Sequence, residues 1–178
     1  LPTYPLQHID DHTGEIALCI LSAVNVGKVR SDDELEELCD LAVRGLEELI
    51  DYQHYPVVAA ERATKARRSL GVGFIGLAHY LAKLGFNYDS QEAWDAVHGL
   101  AESFQYYLLK ASNKIAEEKG WCENFGRTKY ADGILPIDTY KKDVDELCSQ
   151  PLAHDWESLR ASILEHGLRH STLSAQMP

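Results

Sequence analysis

The chain has 178 residues, 45% of them hydrophobic and 25% charged, and its 28 acidic and 17 basic side chains give a formal net charge of −11. This is the composition of one ordinary folded domain rather than of a disordered chain, and its negative field argues against nucleic acid and against anionic membranes as partners. No stretch approaches the roughly 20 uninterrupted apolar residues of a membrane span, and the opening Leu1-Pro2-Thr3-Tyr4 has no signal-peptide character. The expected location is therefore cytoplasmic. Cys19, Cys39, Cys122 and Cys148 stand far apart with no C-x-x-C pair, so reduced thiols are expected, not a zinc site or a disulfide scaffold.

Residues 15–26 (EIALCILSAVNV) form a nearly continuous apolar run closed by Gly27. The run suits a strand buried on both faces, which its β-branched residues favour, although periodicity alone also admits a buried helix. Ser31-Asp32-Asp33-Glu34 then reads as a capping box. Leu35, Leu38, Cys39, Ala42, Leu46, Leu49 and Ile50 follow at helical spacing, predicting an amphipathic helix that ends before Pro56. Residues 59–85 read as a second helical region, interrupted by the glycine-rich residues 71–76. A third helix is expected over 90–119, with Trp94, Val97, Ala101, Phe104, Leu108, Ala111 and Ile115 on one face and Gly120 as its C-cap. Residues 122–137 look like loop. A short helix from Asp155 ends at Gly167, ahead of a strand-like run over 171–175.

Two apolar strands around a large helical block predict an α/β fold with helices outside a sheet. Two strands make no sheet on their own, so the missing partners are expected outside the chain. The first residue, Leu1, and the last, Pro178, directly after a strand-like run, add to the expectation that residues 1–178 are an internal section of a larger domain.

Three groups of residues invite a chemical reading. Gly71, Gly73 and Gly76 satisfy G-x-G-x-x-G, the dinucleotide fingerprint, but the fingerprint needs a strand immediately ahead of it. Residues 61–68 are helix-forming, and close packing of small residues is the plainer explanation. The histidines form no H-E-x-x-H or other tight ligand cluster. His8 and His12 stand at i, i+4 beside Asp10 and Asp11 in a turn-rich segment, where a solvated loop is expected, so no metal is assigned. Cys19 lies among Ile16, Leu18, Ile20 and Leu21, where a cysteine ordinarily acts as a small inert hydrophobe.

Four stretches change that last reading. Residues 14–25 (GEIALCILSAVN), 67–73 (RRSLGVG), 133–143 (GILPIDTYKKD) and 167–178 (GLRHSTLSAQMP), in this order from one end of the chain to the other, resemble the large, catalytic subunit of class I ribonucleotide reductases. The resemblance implies part of a ten-stranded α/β barrel, incomplete on its own. In that family a finger-loop cysteine becomes a thiyl radical, takes a hydrogen from the substrate's ribose and lets the 2′-hydroxyl leave as water, and two further cysteines supply the electrons and become a disulfide. Cys19, in its E-I-A-L-C setting, matches one of that reducing pair. Pro178 matches the first residue of the Ser/Thr-rich turn that holds the substrate diphosphate.

The finger-loop N-x-C-x-E motif would lie ahead of Leu1, and the second reducing cysteine, the tyrosine relay, the effector domain and the thiol tail also outside the chain. The resemblance thus implies a section of a split, intein-interrupted or partly read gene, inactive alone, with no cofactor in this chain. The family's metal/radical cofactor sits in its small subunit, and its ATP and deoxynucleotide effectors bind elsewhere. Its implied partners are the remaining sections of the large subunit, the radical-generating small subunit, a ribonucleoside diphosphate substrate, and thioredoxin or glutaredoxin as reductant. The readings set against it are a dinucleotide-binding module using Gly71 to Gly76 and a catalytically dead structural piece.

Overall fold

The computed structural model describes residues 5–7, 12–148 and 150–174. In chain order the elements are strand β1 (Ile20–Asn25), helices α1 (Asp32–Tyr52) and α2 (Val58–Arg67), strand β2 (Leu70–Ile75), then α3 (Leu77–Leu84), α4 (Gln91–Lys119), the single turn α5 (Pro136–Thr139) and α6 (Trp156–His166). Short 3-10 turns flank α5. The strands β1 and β2 pair in parallel, from Ile20 with Leu70 to Asn25 with Ile75, and α1 and α2 form the long crossover that a parallel pair requires. On the other edge of β2, Val72 bridges Ser174 in parallel, and the N–H groups of Leu70 and Val72 donate to the carbonyls of Thr172 and Leu173.

Side chains alternate across a strand, and the alternation decides which side of this sheet is covered. Residues 20, 24, 70, 72 and 74 face a core built from α1 (Leu35, Val43, Ile50), α4 (Leu108, Ile115) and α6 (Ile163). Phe74 meets Phe104 of α4 edge-to-face, with ring centroids 5.4 Å apart. The opposite face carries Leu21, 58% exposed, and Ile75, 44% exposed. Among the described residues the sheet is therefore packed on one side and open on the other.

Three expectations need correction. The strand predicted over 15–26 is confined to Ile20–Asn25, with residues 16–19 irregular and held only by bonds such as Ile16 N–H to the Ala59 carbonyl. The region expected to be helical over 59–85 contains a strand, because the glycine-rich residues form β2, the middle one of the three paired segments. Trp94, Val97 and Ala101 of the predicted α4 stripe border cavities, and only its later members, Phe104, Leu108, Ala111 and Ile115, are core. The helix signals served better. Ser31 caps α1 by accepting from Glu34 N–H at 3.2 Å, although the Glu34 carboxylate reaches back to Arg30 N–H rather than to the cap residue. Asp155 caps α6, and the start and end of α4 fall within a residue of the expected ones. The run predicted as a strand over 171–175 contributes a single bridge, and its last residue lies outside the described residues.

A buried ionic cluster ties these elements together. Glu47 of α1, 1% exposed, receives Arg68 Nε at 2.7 Å, Arg169 Nε at 2.7 Å and His170 Nε2 at 3.0 Å. Burial pushes its carboxyl up, but the hydrogen bonds from His170, Arg68 and Arg169 outweigh this and hold it at about 2. Arg68 also reaches Asp51 Oδ2 at 2.7 Å. Its backbone is left-handed, with φ of 48°, and its N–H caps α2 through the Thr64 carbonyl. The Arg169 guanidinium donates to the carbonyls of Lys119 and Gly120 at the end of α4, where a cation also meets the helix dipole. Glu47→Ala would strand these cations without their buried partner, so denaturant unfolding should show a loss of about 3–5 kcal/mol. Glu61→Ala, which breaks the exposed pair with Lys65, should stay within about 1 kcal/mol. Comparable small losses for both would contradict this view of the cluster.

Candidate functional site

Cys19 stands one residue before β1 and is exposed. This corrects the expectation of a thiol buried in mid-strand, and the physical reason is the sidedness of the sheet. Its odd-numbered neighbours Leu21, Ala23 and Asn25 share one face of the sheet, on which Leu21 and Asn25 are exposed and Ala23 half-buried. Continuing the β1–β2 register by one step puts Cys19 level with Ser69. The Ser69 hydroxyl lies 3.2 Å from that of Ser171, on the segment at the far edge of β2. Partial burial pushes the Cys19 thiol pKa up, so its surroundings on balance disfavour the thiolate.

The other cysteines differ in kind. Burial pushes Cys39 up to about 12 and Cys122 up to about 11, and both are core residues. Cys148 is also buried, with its sulfur 3.2 Å from Asp95 Oδ1. Every described cysteine is a free thiol. Pro178 and His8 lie outside the described residues, and among those described no group of three or more His, Cys, Asp or Glu is arranged to hold a metal.

The glycine fingerprint acquires a structural explanation. Gly71 and Gly73 sit within β2, opposite Leu21 and Ala23, instead of in a turn after a strand. Gly76 has φ of 80° and caps α3, and a Cβ there would stand 2.4 Å from Asn25 Oδ1 and 3.2 Å from Gly27 N. The third glycine thus lets the ends of the two strands come together. The cavity beside it, about 690 Å³, is lined by Gly73, Phe74, Tyr88, Phe104 and Ser174 among others, with no Lys, Arg or His among the described residues. A pyrophosphate would find no cation there.

One array escaped the sequence reading. Ser112 Oγ lies 2.9 Å from His170 Nδ1, and His170 Nε2 lies 3.0 Å from Glu47 Oε2. This is the order of a nucleophile, base and acid. Burial lowers the His170 pKa, against the raising effect of the Glu47 carboxylate, and that ionised carboxylate can only accept, so Nε2 donates to it. The Ser112 oxygen accepts in turn from His170 N–H at 3.2 Å. Ser112 and His170 are 0% exposed and line none of the described cavities, so the array is a satisfied core network. Its members are 58 and 123 residues apart in sequence, and no local motif signals it.

Comparison with known proteins decides the family. The profile described as "Ribonucleotide reductase, barrel domain" matches residues 5–178. This chain belongs to that family. It is 63% identical over its whole length to the ribonucleoside-diphosphate reductase subunit alpha of Haemophilus influenzae, covering 24% of that protein. It is 52% identical over its whole length to the subunit alpha of Buchnera aphidicola subsp. Schizaphis graminum, covering 23% of it. With the ribonucleoside-diphosphate reductase 1 subunit alpha of Escherichia coli it shares 57% identity over 129 residues, 72% of this chain and 17% of that protein. The chain thus spans about a quarter of the length of the curated relatives that it matches end to end. The barrel-domain match agrees with the mixed α/β fold, in which three parallel segments are paired among the described residues.

Exposure and pKa together predict the thiol reactivities. In the folded chain, iodoacetamide should modify Cys19 at least about tenfold faster than Cys39 or Cys122, as read by peptide mass spectrometry. Equal rates at all three would show that the described burial does not hold in solution.

Proposed function

We propose that this chain acts as a section of the catalytic subunit of a ribonucleoside-diphosphate reductase and is inactive without the rest of that subunit. The observation that carries the reading is the position of Cys19. It lies on the open sheet face, at the start of a strand whose outer edge has no partner among the described residues. A reducing thiol needs a fixed position facing the reacting sugar and a second thiol within disulfide reach, and a strand end inside a closed barrel supplies both.

In this reading a thiyl radical formed outside the chain takes a hydrogen from the ribose, and the 2′-hydroxyl leaves as water. Cys19 and a second cysteine on a neighbouring strand, outside residues 1–178, deliver two electrons and two protons to the sugar and its leaving hydroxyl and become joined as a disulfide, and the abstracted hydrogen is returned to the ribose, which restores the thiyl radical. Thioredoxin or glutaredoxin then reduces that disulfide, returning both thiols. The small subunit provides the radical. Pro178 opens the turn that holds the substrate diphosphate. The alternative of a dinucleotide module finds no support at Gly71 to Gly76, since only Arg68 and Ser69 separate helix α2 from β2, and Gly71 and Gly73 lie inside that strand rather than in a turn behind one.

The test uses a complete alpha subunit containing this chain, together with its small subunit. Cys19→Ser should leave the melting temperature and substrate affinity nearly unchanged, because the hydroxyl is close in size to the thiol. Steady production of deoxyribonucleotide should fall to background, since a hydroxyl forms no disulfide. Cys122→Ser should lose activity only in proportion to stability. Sustained multiple turnover by the Cys19→Ser enzyme would remove Cys19 from the chemistry and favour a purely structural role for this section.

A further inference from the structure

A second cavity, about 430 Å³, opens beside the start of β2 and is basic, whereas the one at the end of that strand is lined by uncharged residues. Its lining includes Arg67, Arg127 and Lys129, the hydroxyl-bearing Thr128 and Ser171, and the Tyr130 ring, with no carboxylate side chain among the described residues that line it. That is unusual in a chain with 28 acidic and 17 basic residues. Arg67 is the telling group. It is 8% exposed, its Nη2 is paired with Glu15, and its buried Nε has no hydrogen-bond partner. A guanidinium N–H held out of water without an acceptor is costly, and an anionic oxygen is the acceptor that suits it best.

We propose that this cavity binds a phosphate-bearing small molecule of about nucleotide size. The phosphate oxygens accept from Arg67 Nε and meet the positive charge of Arg127 and Lys129, and the organic part rests against Tyr130, Ile134 and Leu135. The volume exceeds what a lone phosphate fills and falls within the range of small-molecule sites. Ser171 and Thr172 line this cavity, whereas Ser174 lines the separate cavity beside Gly76. The proposal does not depend on the chemistry assigned to Cys19.

The test is a lysine footprint in a complete alpha subunit containing this chain, read peptide by peptide so that nucleotide sites elsewhere do not interfere. Inorganic phosphate, pyrophosphate, ADP and adenosine are each titrated while an amine-reactive reagent labels the protein. Pyrophosphate and ADP should slow acylation of Lys129 saturably, with ADP acting at the lower concentration, while adenosine has no effect and the exposed Lys141 is unchanged. Arg67→Lys, which keeps a charge near Glu15 but removes the Nε donor, should raise the half-saturating ADP concentration about tenfold. Arg127→Ala should weaken protection as well, and serves if the first variant folds poorly. Three results would overturn the proposal: no protection of Lys129, equal protection of Lys129 and Lys141, or protection by pyrophosphate and inorganic phosphate without any by ADP.

Discussion

Everything in this fold that must be placed accurately is tied to one buried carboxylate. Glu47 joins α1 to the α2–β2 junction through Arg68 and to the last described segment through Arg169 and His170, and His170 and Arg169 in turn reach α4 at Ser112, Lys119 and Gly120. A buried charge is tolerated only when its partners are complete, and here each Glu47 oxygen is occupied. The left-handed backbone at Arg68 belongs to the same constraint. That conformation is unfavourable for a residue with a Cβ, and it turns the chain from α2 into β2 while aiming the guanidinium at Glu47. The cluster thereby sets the position of the middle strand, and through it the register of β1 and of the segment leading to Ser174.

The second organising fact is sidedness. The helices bury one face of the sheet and leave Leu21 and Ile75 exposed on the other. In a barrel that second face is the interior, where the strands of the whole domain converge. Cys19 stands at the start of the strand on this side and is exposed, which is the placement that the reducing role proposed for it requires. Reactivity set by position also suits a reducing thiol, which must stay protonated and wait until the radical step has occurred.

The helices were largely legible in the sequence, because Ser31, Ser90 and Asp155 are capping residues at the starts of periodic apolar runs, and Gly120 and Gly167 sit at their ends. The middle strand was not. Gly71 and Gly73 weaken any strand signal and sit next to a helix rich in Ala, Lys and Arg; β2 is a strand because segments on both sides accept and donate along it. The exposure of Cys19 was equally hidden, since an apolar run reports burial in the completed protein without saying which elements provide it. The family resemblance, by contrast, was carried by local motifs such as residues 14–25 and 167–178, and comparison with relatives supports it over the whole chain. The Glu47–His170–Ser112 array and the basic cavity at Arg67 assemble from distant positions, so only three-dimensional structure displays them.

The most direct measurement of the proposed role of Cys19 is its covalent state after the reaction. A complete alpha subunit containing this chain, prereduced and allowed one round of substrate reduction with no external reductant, is quenched with an alkylating reagent, digested and mapped by mass spectrometry. The expected result is a disulfide joining the Cys19 peptide to a cysteine peptide from outside residues 1–178, in an amount matching the deoxyribonucleotide formed, with Cys39 and Cys122 still reduced. Product formed while Cys19 remains an alkylated free thiol would contradict it.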